Sequence, residues 1–265
     1  EGKAVMRFIY YGASQELFFA VLALFLTLTA LGLWRNAILW GSVRILERIA
    51  NTVGRFAAWA GLLMVLQQIV IVFIQRIFLE AQITFGFGVG ISKDISWYVE
   101  ELKFYIAMIV CLCAAYTCVQ GGHVRVDLIY SVVSYRTKRI IDMLGSLFFM
   151  VPAAMLTWMY SWYFLWRHLV TPKVSASDTL QRLVDGKSRA FKWNVETIGF
   201  SPNGFNAYFL FKILLVLFCA MIILQAIAFF YRSYLEMNEG EASDGKYLDR
   251  DQLGDEEAEL AADIH

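Results

Sequence analysis

Histidine and proline are scarce in this chain, three of each in 265 residues, and cysteine is hardly commoner at four. The histidines are also scattered: His123 follows one apolar run, His168 follows another, and His265 stands in a polar tail. A haem held inside a helical bundle needs two axial ligands at one depth, which this spacing does not offer. Cys111, Cys113, Cys118 and Cys219 all lie inside apolar runs. With no Cys-x-x-Cys pair answered by a second ligand pair, they read as small hydrophobes rather than as metal or disulfide residues. No glycine loop for phosphate, nucleophile elbow or zinc helix motif is present. The sequence therefore assigns no catalytic, cofactor-binding or metal-ligating residue, and it does not read as an enzyme.

What is abundant is apolar surface. The chain is 59% hydrophobic and 16% aromatic, with a mean hydropathy of +0.55, more than a soluble domain of this length could bury. It reads as an all-α integral membrane protein. A hydrocarbon core of about 30 Å takes roughly 20 apolar residues in a helix. Five stretches qualify: Gln15 to Trp34, Phe56 to Phe78, Leu102 to Val119, Ile140 to Trp166 and Phe205 to Tyr231. Residues 35–55 alternate differently. There Ile38, Leu39, Ile45, Leu46, Ile49 and Val53 recur at near-helical spacing while Arg44, Glu47, Arg48 and Asn51 take the other face, the pattern of an interfacial amphipathic helix. A second, shorter interfacial helix is expected over residues 91–104, with Trp97 and Tyr98 at headgroup level. The division that follows is 1–55 for an extra span and amphipathic helix, 56–235 for a four-helix unit with a long loop at 167–204, and 236–265 for a tail.

Charge is balanced overall but unevenly placed. Residues 236–265 hold 11 of the 23 acidic and 2 of the 23 basic side chains, the composition of a solvated, disordered segment. Lysine and arginine number four in 35–55, one in 78–101 and four in 120–140, which places the first and third of those loops in the cytoplasm, the N-terminus outside and the acidic tail inside. The loop at 167–204 carries six basic residues against this orientation and is expected to fold onto a partner. Inside the spans little is ionisable: Asp142 and Lys212 lie near enough to helix ends to snorkel, and Gln67 and Gln68 form the polar pair near a midplane, suited to interhelical hydrogen bonds. A transporter core needs intramembrane charges or unwound, Gly- and Pro-rich helices. This chain alone does not supply a transport pathway.

One short stretch concentrates the polar chemistry. In GGHVRVDL, residues 121–128, Gly121 and Gly122 can terminate a helix, and an extended chain beyond them would put His123, Arg125 and Asp127 on one edge. Upstream, a span ends in Gln75-Arg76 and is followed by SWYVEEL at 96–102. Together these motifs resemble the small-permease (Q, or DctQ-like) subunit of TRAP transporters, the tripartite ATP-independent periplasmic family, over about residues 55–235. Position by position the resemblance marks Arg76, Trp97, Glu100, Glu101, Gly122, His123, Arg125 and Asp127. It implies a heterodimer with a large membrane subunit that carries the substrate and sodium sites, a periplasmic substrate-binding protein, uptake of an organic anion such as a carboxylate, no cofactor in this chain, no nucleic acid, and a place in the bacterial inner membrane. The extra N-terminal span, the long loop and Lys212 depart from the family pattern. A small subunit of a tripartite tricarboxylate-type carrier and a membrane anchor for a redox enzyme are the alternatives.

Overall fold

The computed structural model describes residues 7–9, 11–80, 82–85, 91–121, 133–171, 192–193 and 204–249. The helices are α1 (Gln15–Trp34), α2 (Asn36–Phe73), α3 (Ile95–Gln120), α4 (Tyr135–Gly145), α5 (Val151–Leu169) and α6 (Phe209–Glu239). Two small antiparallel pairs accompany them: β1 (Gln82–Phe85) with β2 (Ile91–Asp94), and β3 (Val170–Thr171) with β4 (Lys192–Trp193). Among the described residues, five helical stretches are long and apolar enough to cross a membrane, Gln15–Trp34, Asn36–Phe78, Ile95–Gln120, Tyr135–Arg167 and Phe209–Glu239. The expected all-α membrane architecture is what the structure shows.

α6 is the axis of the bundle. It touches α2, α3, α4 and α5, and its apolar window is more than twice as buried as that of any other span. α1 starts at Ser14, whose side chain accepts the Leu17 N–H at 3.0 Å and so satisfies one of the helix's orphan donors. It then runs beside α6, where Tyr231 donates to the Phe25 carbonyl at 3.1 Å and stacks on the Phe25 ring. The α1–α2 corner is one extended residue, Arg35. Gly32 makes that corner possible, because a Cβ there would overlap the Leu39 side chain.

Two sequence expectations give way here. Residues 35–55 are not a separate interfacial helix: they form the first half of α2, which runs unbroken for 38 residues, about 57 Å at the helical rise. No proline interrupts it, and Gly54 sits where α3 approaches so closely that a Cβ would overlap Tyr116. Ala50, Gly54, Ala57 and Gly61 repeat at four, three and four residues along that side, letting the two backbones close as small residues do between membrane helices. The faces of this half are only partly as expected: Leu39 is buried and Arg44 and Arg48 are exposed, but others are reversed. Ile38, Ile45 and Ile49 point outward, whereas Glu47 and Asn51 are 4% and 1% exposed. The second correction concerns residues 91–104. Ile91–Asp94 pair with Gln82–Phe85 in register Gln82 to Asp94, so α3 begins only at Ile95 and continues directly into its span.

The fourth span is jointed. α4 ends in a π turn at Ser146–Met150, immediately before Pro152, which lacks the N–H needed for a regular helical bond. A second π turn, Ile74–Phe78, closes α2 and ends on Leu79 in a left-handed conformation, φ 54°. Asp142 and Lys212 do not snorkel. The Asp142 carboxylate lies 3.5 Å from Arg139, and Lys212, 3% exposed, places Nζ 4.5 Å from the Phe164 ring and 5.1 Å from that of Tyr208. The tail, expected to be disordered from Glu236, is ordered over residues 236–249, although most side chains of 240–249 are exposed. Glu236–Glu239 belong to α6, and Gly240–Asp249 fold back along it.

Candidate functional site

Polar side chains gather at the two ends of the bundle. At the hairpin end, the SWYVEEL turn of α3 ties three elements together. Glu101 Oε2 accepts from Gln67 Nε2 of α2 at 3.1 Å, and the same amide donates to the Tyr98 carbonyl at 3.2 Å. Glu100 Oε2 accepts the backbone N–H of Phe205 at 2.9 Å, holding the chain as it turns into α6. Trp97 supports that turn, its indole N–H 3.4 Å from Asn206 Oδ1 and its ring 5.2 Å from Phe205, which in turn stacks on Phe104. Beneath them Ile71, Ile83 and Ile95 join α2, the hairpin and α3 in one buried cluster. The paired acids thus act in opposite directions, one toward α2 and one toward α6. Arg76 lies apart from this corner, exposed in the π turn at the end of α2.

At the other end, charges are buried. Arg232 of α6 holds Glu47 of α2 by two bonds of 2.6 Å, Nε to Oε1 and Nη2 to Oε2, the planar fork that suits guanidinium to carboxylate. Its Nη1 reaches Glu236 Oε1 at 3.4 Å and the Lys246 carbonyl at 3.2 Å. Arg139 of α4 sits 3.0 Å from Glu236 Oε2 and 2.5 Å from Asp244. Two guanidiniums therefore bind four carboxylates from α2, α4, α6 and the returning tail. The tail seals the cluster. Glu239 accepts from the Trp40 indole at 2.8 Å, Arg44 lies 4.9 Å from the centre of the Tyr247 ring, and the Asp249 carbonyl accepts from Asn51 at 2.9 Å and from Gln120 at 3.0 Å. Those last bonds meet α3 at its C-terminus, where Gly121 (φ 75°) makes the expected left-handed cap and donates to Cys118 O at 3.3 Å.

Of the eight motif residues, Trp97, Glu100 and Glu101 come together, Arg76 stands separately, and Gly122, His123, Arg125 and Asp127 lie outside the described residues. The tail-end cluster was not foreseen. Its signal was a charge on the wrong side of an amphipathic pattern: Glu47 stands alone among arginines, and Arg232 and Glu236 are four apart at the end of an apolar run. No group of three or more His, Cys, Asp or Glu that could hold a metal ion occurs among the described residues.

Fold and clusters together define a polytopic, all-α membrane protein whose helices are tied to one another at one end by ion pairs. Residues 87–181, the stretch that contains both SWYVEEL and GGHVRVDL, match the family described as tripartite ATP-independent periplasmic transporters, DctQ component. The resemblance carried by those two motifs is thus supported over 87–181, a narrower range than about 55–235. No curated protein and no solved structure matches the chain.

Proposed function

We propose that this chain is the small membrane subunit of a TRAP transporter and that it braces a large subunit which performs the transport. The family match over 87–181 carries this reading. The geometry agrees with a brace: the buried charges of Glu47, Arg139, Arg232 and Glu236 are fastened to one another across α2, α4 and α6. In the complete importer, a periplasmic binding protein would deliver an organic anion such as a carboxylate. The sodium-coupled step would then belong to the large subunit. The orientation that suits this role has the hairpin end and the 167–204 loop outside and the tail end in the cytoplasm, in agreement with the arginine-rich first half of α2.

The test is a tagged pull-down from native membranes in mild detergent, read by mass spectrometry, followed by uptake in proteoliposomes with the recovered binding protein. Recovery of one large multi-span subunit and sodium-dependent uptake of an organic anion is the expected result. A chain recovered alone, or with a haem or flavin enzyme, would refute the proposal.

A further inference from the structure

α2 and the π turn that closes it carry, on a side other than the one packed on α3, an amide stripe that the described residues leave unused. Val65, Gln68, Val72 and Gln75 are spaced by three, four and three residues and therefore share one face. All four are exposed. The side facing α3 is a different one, marked by Gln67 and by Ile71, which is 1% exposed. Gln68 lies within the apolar part of the helix. Exposed Leu62, Leu63, Val65 and Leu66 precede it, and Ile69, Val70, Val72 and Phe73, each 45–50% exposed, follow it for more than another turn.

An amide in that position has four hydrogen-bonding sites, and hydrocarbon can satisfy none of them. Neighbouring Gln67 shows what an amide at this level does when a partner is near, bonding both to Glu101 and to a backbone carbonyl. Gln68 and Gln75 have no such partner among the described residues. Lipid tails are an equally good environment for valine and a poor one for glutamine, so the stripe suits a protein surface that offers hydrogen-bonding groups at two heights one heptad apart. We infer that the Val65–Gln75 face of α2 is the docking surface for a transmembrane helix of the large transport subunit. That helix would present hydroxyl, amide or free carbonyl groups opposite Gln68 and Gln75. This rests on the reading of the chain as a TRAP small subunit. It goes further in naming the surface and the chemistry of its partner.

The experiment places a photo-crosslinking amino acid at residue 68 or 75, and at the control positions Phe19 and Phe148, in the chain co-expressed with the large subunit. A Gln68→Leu/Gln75→Leu variant is purified in parallel. The inference predicts crosslinks to the large subunit from 68 and 75 at several-fold the yield from 19 and 148. It also predicts several-fold lower recovery of the large subunit with the double variant, the amount of the small chain being unchanged. If the large subunit is recovered but crosslinks equally or better from the controls, or if 68 and 75 capture only lipid or a second copy of this chain, the surface is wrongly assigned while the proposed function stands. If the unmodified chain recovers no large subunit, both fall.

Discussion

The two ends of this bundle are held by different chemistry. At the tail end, α2, α4, α6 and the returning chain meet in a network of ion pairs, with Glu236 1% and Glu47 4% exposed. At the hairpin end, each acid makes bonds to neutral groups, an amide, a phenol or a backbone N–H, and the surrounding α2 surface is open. A buried ion pair is costly to break but gives little net stability over an apolar replacement, and its strength lies in demanding one arrangement. On that ground the tail end is expected to specify how α2, α4 and α6 are ordered. Neutral hydrogen bonds can be remade against another protein at less cost, and the hairpin end retains that freedom.

This contrast can be broken most directly at Glu47. Glu47→Ala leaves Arg232 buried against an acidic neighbour and is expected to destabilise the chain by about 3–5 kcal/mol, seen as a lowered melting temperature in detergent. Adding Arg232→Met should recover much of that loss, because no unpaired charge remains. If the double variant is no more stable than the single, the pair is not the locking element. Next in size is Gly54→Val, which forces α2 and α3 apart and should cost about 1–3 kcal/mol by overpacking. A melt unchanged from the parent would show that the close approach at Tyr116 is not needed.

At the hairpin end smaller effects are expected. Glu101→Ala removes the acceptor of Gln67 within a membrane-facing corner, where interhelical hydrogen bonds average about 0.6 kcal/mol and reach about 1.7. A loss comparable to that of Glu47→Ala would erase the distinction between the ends. Smallest is Asp249→Ala. Its carboxylate pairs with exposed Arg55 at 3.1 Å and accepts from Asn51 at 3.3 Å, and such surface pairs are worth about 0–1 kcal/mol, so the melt should hardly move.

The spans were legible in the sequence because their signal is additive: 20 apolar residues read as a span whatever surrounds them. The α2 fusion was not, since an amphipathic helix and a span look alike whether or not a bend separates them, and only the absence of a breaker near Gly54 distinguishes the cases. Burial of Glu47 was misread for a related reason. A helical pattern shows which residues share a face but not which face meets protein when the other meets lipid, and in a bilayer both can be apolar. Gly121 was read correctly because a left-handed cap is a local property of one residue. The strand at Ile91–Asp94 depends on pairing with Gln82–Phe85, a non-local contact that the polar run ISKD does not announce. The motif marked Trp97, Glu100 and Glu101 together, but which of them faces α2 and which the turn into α6 depends on contacts distant in sequence.

The most direct measurement compares Glu47→Ala with Gln68→Leu in thermal unfolding of this chain, alone and bound to the proposed large subunit. An internally locked tail end and a partner-facing α2 stripe predict that Glu47→Ala lowers the melting temperature of the chain alone. On the same account Gln68→Leu leaves the isolated chain unchanged and weakens only the complex. If Gln68→Leu unfolds the isolated chain as readily as Glu47→Ala does, or if Glu47→Ala acts only in the complex, the account is contradicted.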